Sequence, residues 1–174
     1  MSRPVPDAVL LGLIKAHSTH GYDLLERFHA NKHLGRMWHL SASQVYAVLK
    51  RLEENGAIHG VEVRVEDAPS RREFSILPAG DALLKEWLYD EKPSASLHRI
   101  RVVFLSRVYI ARLLGQPIKA LFDNQISACK TQMSTFQEER QLAESEMEIL
   151  ALDLVIHQLS AAIDWLESKH LLFS

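Results

Sequence analysis

Apolar positions recur at intervals of three and four over most of the chain, with one stretch where the period falls to two. After Pro6, which suits a first helical turn, Val9, Leu10, Leu13 and Ile14 predict a helix over 6–17. HSTHG breaks it, and residues 21–31 predict a short second helix with Tyr22, Leu24, Leu25 and Phe28 facing inward. KHLGRMWHL reads as irregular. Ser41 with Gln44 three residues on forms a capping-box signature that starts a third helix, and Gly56 stands where it should stop. Val61, Val63 and Val65 then alternate with Glu62, Arg64 and Glu66. DAPS at 67–70 reads as a turn, and Phe74 and Ile76 alternate on the return, so a hairpin with arms of about six residues is expected. Pro78 opens a fourth helix, and KPSAS at 92–96 has the composition of a linker.

Beyond the linker the pattern is helical to the end. A helix over 97–114 is broken at GQP. From Ile118 to Phe173 there is neither Gly nor Pro. Phe122, Ile126, Cys129, Met133 and Phe136 step by four and three, the spacing of a coiled-coil seam. Met147, Leu150 and Leu154 continue the phase, and Trp165 lies farther along; the candidate dimerisation surface is Phe122, Ile126, Cys129, Met133, Phe136, Leu150, Leu154 and Trp165. So long a helix is unusual, which places a turn within EERQLAESE, residues 138–146. In the 97–114 helix, Val102, Val103, Phe104, Val108, Ile110 and Ala111 cover much of the circumference, as in a helix packed between a winged domain and a coiled coil.

Three helices followed by a hairpin is the order of a winged helix-turn-helix. The expected fold is mainly α: a winged helix-turn-helix with a two-stranded wing over 1–91, and an antiparallel coiled-coil-like helical dimerisation domain over 92–174. At 100° per residue, Val45, Leu49 and Leu52 share the inner face of the third helix, flanked by Ala42 and Val48. Ser43, Gln44, Ala47, Lys50, Arg51 and Glu54 fall on the other side. Short side chains let a helix enter the major groove, an amide can pair with an adenine edge, and cations behind them meet phosphates. Tyr46, at the border, suits either a core ring or a hydroxyl on a phosphate. Arg64, Arg71 and Arg72 near the hairpin tip suit the sugar-phosphate backbone, with Lys32 and Arg36 as weaker candidates.

Charge changes this picture only in scale. The net charge is −2, and the 11 Lys and Arg up to residue 90 face 12 Asp and Glu, so DNA affinity must come from a local patch. The near-neutral winged domain also keeps open a protein-interaction module without DNA binding. An apolar recognition face would favour that module, and this face is polar and basic. A lone cysteine, Cys129, excludes a disulfide framework within the chain and fits a reducing cytosol; a buried thiol is expected, since a redox sensor needs exposure and a lowered pKa. The opening residues lack a signal-peptide pattern, and Arg99, Arg101, Arg107 and Arg112 rule the 97–114 helix out of a bilayer, so a cytoplasmic protein is expected. His17, Ser18, His20 and Asp23 match no catalytic spacing. His29 and His33, four apart, lack a third ligand nearby. No motif calls for an enzyme, a metal or a cofactor.

Three segments resemble PadR-type transcriptional regulators: LLGLIKAHSTHGYDLLERF, with His20-Gly21-Tyr22; LSASQVYAVLKRLEENGAI, with Tyr46, Leu49, Leu52, Glu53 and Gly56; and RREFSILPAGDALLKEWL, ending at Trp87-Leu88. The likeness covers residues 8–90. The remainder, with AIDWLESKHLLF and its Trp165-Leu166, is similar to the virulence-activator-type helical domain of longer members. The chain departs from the pattern at Ser43-Gln44, where the family favours Gly-Thr, at Phe74, where tyrosine is common, and at Pro78, where a capping threonine is common. The resemblance implies a homodimeric, usually repressing regulator that binds double-stranded DNA and is often released by a small ligand. An aromatic effector near Trp38, Trp87 or Trp165 is a candidate partner.

Overall fold

The structure is a computed structural model that describes residues 6–17, 19–28, 33–65 and 68–172. The expectations placed on Ser18, His29, Lys32, Glu66 and Asp67 lie outside these residues. Two compact units emerge, neither a simple half of the chain. The first comprises the described residues up to Tyr89 together with Leu105–Gln116; the second comprises Asp90–Phe104 and Pro117 onward.

In the first unit, helix α1 (Pro6–Ala16) buries Val9, Leu10, Leu13 and Ile14, the four positions set by its period, and Ala8 and Leu11 besides. Strand β1 (Thr19–His20) follows, then α2 (Gly21–Glu26) and a 3-10 turn (His33–Arg36). Leu24 and Phe28, four residues apart, are buried. Tyr22 is not: it stands 65% exposed, because it lies about 200° around the helix from Leu24.

Helix α3 (Ala42–Glu54) begins with the capping box read from Ser41 and Gln44. It ends in Gly56, whose φ of 65° lies in the left-handed region that favours glycine. Strands β2 (Ile58–Val65) and β3 (Ala68–Ile76) form the wing. Its arms are eight and nine residues, longer than expected, because Ala68–Ser70 belong to β3 rather than to a turn. The sheet has three strands in the order β1-β3-β2, with Thr19 opposite Phe74 and His20 opposite Glu73. Its inner face carries Ile58 and Phe74, both buried, whereas Val61 is 50% exposed. Val61 therefore lies on the outer face of the wing.

Helix α4 (Pro78–Leu88) starts with Pro78 at its first turn and packs on α1, burying Leu84 and Leu88. The same unit includes α6 (Leu105–Leu113), whose Ile110 and Ala111 are fully buried. Ile110 covers Gly12 so closely that a Cβ there would stand 2.4 Å from its Cγ2. Arg107, 6% exposed, lies with its guanidinium 5.5 Å from the centre of the Trp87 ring. The single cut expected after residue 91 thus leaves residues 105–116 on the wrong side of the unit they pack in.

The second unit begins with a short α5 (Leu97–Arg99) that runs into a π-helical turn, Ile100–Phe104. Its body is an antiparallel hairpin of α7 (Lys119–Leu142) and α8 (Glu146–His170), with the turn at residues 143–145, inside the expected window. A serine again marks a helix start: the Ser145 hydroxyl accepts the Glu148 N–H at 3.1 Å and caps α8. Lys130–Glu167 at 2.6 Å and Arg140–Asp153 at 2.8 Å pair residues along the two antiparallel helices.

Candidate nucleic-acid interface

The period of α3 divides it as expected except at Ala42, which is expected beside the buried face and is exposed. Val45, Val48, Leu49 and Leu52 are buried, while Ser43, Gln44, Ala47, Lys50 and Arg51 are all exposed. The hydrogen bonds made by these exposed groups refine the picture. The Gln44 Oε1 accepts from the Ser41 N–H at 2.9 Å and lies 3.0 Å from the Ser41 hydroxyl, which in turn stands 3.0 Å from the Ser43 hydroxyl. Gln44 is therefore both a capping residue and an outward-facing amide, and its oxygen is already engaged.

The cations divide into two classes. Arg51 is bound through two nitrogens to Asp7 of α1, its Nε 3.2 Å from Oδ2. Arg72 donates to Glu53 at 2.7 Å, and Lys50 lies 3.8 Å from Glu54. Arg64 and Arg71 are exposed and have no ion-pair partner among the described residues. Exposed pairs of this kind contribute about 0–1 kcal/mol each, so a phosphate can compete for their cations, but at the expense of the carboxylate's partner.

Tyr46 is 52% exposed. Its ring lies over Gly21, where a Cβ would approach Cε1 to 2.7 Å, and its hydroxyl has no partner among the described residues. The ring is therefore not part of the core. Tyr46 and the outward Tyr22 line a cleft of about 450 Å³ with Lys50, Arg71 and Arg72. Tyr22, expected to face inward, lines this cleft instead.

Residues 10–86 match the model of the transcriptional regulator PadR-like family. The chain is similar to the negative transcriptional regulator PadR of Bacillus subtilis, 26% identical over 129 residues that span 74% of this chain and 69% of the relative. It is also similar to a probable transcriptional regulator of Mycobacterium tuberculosis, 29% identical over 84 residues that span 48% of this chain and 43% of the relative. Among solved structures, Bacillus subtilis PadR in complex with operator DNA is 24% identical, with 95% of this chain and 98% of that chain covered and a TM-score of 0.49. A PadR-like transcriptional regulator from Bacillus cereus is 21% identical, with 99% and 98% covered and a TM-score of 0.45. Outside the PadR-like match, the seam expected for dimerisation divides. Phe122 and Cys129 are buried inside the second unit, Ile126, Met133 and Phe136 are half-buried, and Leu150, Leu154 and Trp165 are exposed at 54%, 59% and 39%. Phe122 meets the Phe104 ring edge-on at 5.0 Å. Burial pushes the Cys129 thiol up, with the Gln125 amide 3.5 Å from Sγ opposing the shift, so the group stays a protonated packing element. Two of the three tryptophans are engaged in packing. Trp38 meets Phe28 edge-on at 5.3 Å and donates to the Ser106 hydroxyl at 3.1 Å, and Trp87 lies against Arg107. Among the described residues no group of three or more His, Cys, Asp or Glu side chains is placed to hold a metal ion.

Proposed function

We propose that the chain is a sequence-specific repressor that binds double-stranded DNA as a homodimer. The observation that carries this reading is the outer strip of α3, where Ser43, Gln44 and Ala47 lead and Lys50 follows, every one exposed, beside a wing that presents Arg64 and Arg71. The strip enters the major groove, the wing lies along the phosphates, and the Tyr46 hydroxyl meets a phosphate at the border. Arg51 and Arg72 belong to this face but are held by carboxylates of the protein itself. Repression is supported by the likeness to a negative regulator.

The dimer forms through α8. Met147, Leu150 and Leu154 are 72%, 54% and 59% exposed on a helix whose 18-residue apolar stretch has a mean hydropathy of 1.5. That stretch is long and apolar enough to cross a membrane, but Asp153 sits in the helix with Arg140 holding its carboxyl below the usual range, an ion pair suited to a wet protein surface. A second copy covers this face, and we read the unit as the virulence-activator-type helical domain of a cytoplasmic regulator. Two recognition helices related by a two-fold axis read a pseudo-palindrome with half-sites about one helical turn, or a multiple of it, apart. The small aromatic effector of this reading enters the cavity of about 390 Å³ in the second unit that Phe136, Leu159, Gln132 and Gln158 line.

Electrophoretic mobility shift with the DNA upstream of the protein's own gene, at two salt concentrations, tests the main claim. Specific retardation that weakens steeply with salt is expected. A chain that shifts this duplex no better than an unrelated one contradicts it.

A further inference from the structure

The inner face of the wing has a gap in its side chains. Gly60 stands opposite Phe74 in the ladder, and the next pair on the same face is Glu62 opposite Arg72. No side chain fits at position 60: a Cβ would lie 2.5 Å from the Arg72 Nε, 2.9 Å from the Phe74 ring and 3.0 Å from the Glu53 Oε1. Glu53, from the last turn of α3, fills the gap. Its Oε1 accepts from the Gly60 N–H at 3.1 Å and from the Arg72 Nη2 at 2.7 Å. One carboxylate oxygen thus joins the recognition helix, the backbone of β2 and a side chain of β3. An acidic group in the last turn opposes the helix dipole, so propensity does not favour it there. The two donors, one of them charged, compensate in a site where the Glu53 side chain is only 28% exposed.

We propose that Glu53 is the positioning residue of the DNA-binding unit. It fixes the wing to the recognition helix, and it makes Arg72 an internal tether, leaving Arg71 as the phosphate contact of that stretch. This rests on the DNA-binding reading given above. Gly60 is the position whose missing side chain admits the clamp.

The test uses the full chain and two duplexes, the DNA upstream of its own gene and an unrelated duplex of equal length. Glu53→Ala is expected to speed amide hydrogen exchange at Gly60 and to weaken both complexes about tenfold, the loss of charge-assisted bonds. Glu53→Gln, whose amide oxygen still accepts both bonds, is expected to restore protection at Gly60 and most of the affinity. Arg71→Ala should reduce the slope of log affinity against log salt by about 0.9, the value of one phosphate contact on B-DNA, and Arg72→Ala by less than about half of that. Equal flattening by the two arginine variants overturns the tether. Unchanged exchange at Gly60 in Glu53→Ala overturns the clamp, and Glu53→Gln as weak on DNA as Glu53→Ala overturns the positioning role. Exchange is read without DNA, so a wild-type chain that binds neither duplex sinks the DNA reading and the positioning role with it, while the clamp is judged separately.

Discussion

Gln44 serves two masters, and substituting it separates them. Its Oε1 has two lone pairs, and both point to Ser41, at 2.9 Å from the N–H and 3.0 Å from the hydroxyl. A bidentate contact to adenine needs that oxygen as well as the amide NH₂. Reading adenine therefore gives up one capping bond, which offsets about 1 kcal/mol of the roughly 1–3 kcal/mol that such a contact contributes. The net preference expected from Gln44 is at the low end, about 1 kcal/mol or fivefold per half-site. Gln44→Ala removes both roles: the helix loses its reciprocal cap, about 1 kcal/mol, which lowers Tm by about 2–4 °C for a chain of this size. Gln44→Glu keeps an acceptor for Ser41 and adds a negative charge at the helix N-terminus, where it is stabilising by about 0.3–1 kcal/mol. It loses the donor and sets a carboxylate against base acceptors. Calorimetric melting alongside competition binding to duplexes varied at each half-site position distinguishes the cases. The expected result is a Gln44→Glu protein at least as stable as wild type that no longer discriminates, and a Gln44→Ala protein that fails both tests. Retained discrimination in Gln44→Glu refutes the base contact; an unchanged melt in Gln44→Ala refutes the cap.

Phe122→Ala should destabilise the second unit by about 3–5 kcal/mol, read from urea unfolding, because the ring is 1% exposed against Phe104; a loss under about 1 kcal/mol would show the site to be loosely packed. Leu150→Glu with Leu154→Glu should leave helicity intact and give a monomer in sedimentation, with loss of tight DNA binding; a persistent dimer removes α8 as the interface. Acid should weaken both units. Lys15 and then Lys85 hold the Asp81 carboxyl below its ordinary value, Lys119 does so for Asp123, and Arg140 for Asp153. A depressed folded pKa contributes stability that is present above the ordinary aspartate value of about 4 and is lost as the pH falls through the folded one. Urea midpoints should therefore fall below about pH 4 in the wild type and less steeply in Asp153→Asn.

Much of α3 was legible because its signals are local. The capping box needs residues three apart, the buried face follows from the period, and Gly56 ends the helix at a positive φ. What was not legible depends on contacts across long separations. Asp7 and Arg51 are 44 residues apart, and Glu53 and Arg72 are 19 apart, so nothing in the local pattern marks two of the expected DNA cations as already paired. Alternation along β2 gives a period but not the side that is buried. The pairing of Ile58 with Ile76 and the burial of Phe74 settle that, and they put Val61 outside. Phe122 and Cys129 had the spacing of a seam between chains, but α8 folds back on α7 and consumes those positions within one chain.

The return of α6 to the first unit has a consequence for how the protein comes off the ribosome. Ile110 and Ala111 are fully buried there, so the hydrophobic centre of the first unit is incomplete until residues well past the linker have been made. A fragment ending near residue 91 leaves the α1 surface around Gly12 uncovered and invites aggregation. The shortest piece of chain that completes the first unit, α3 included, ends near Gln116, and by then synthesis has passed through the first stretch of the second unit.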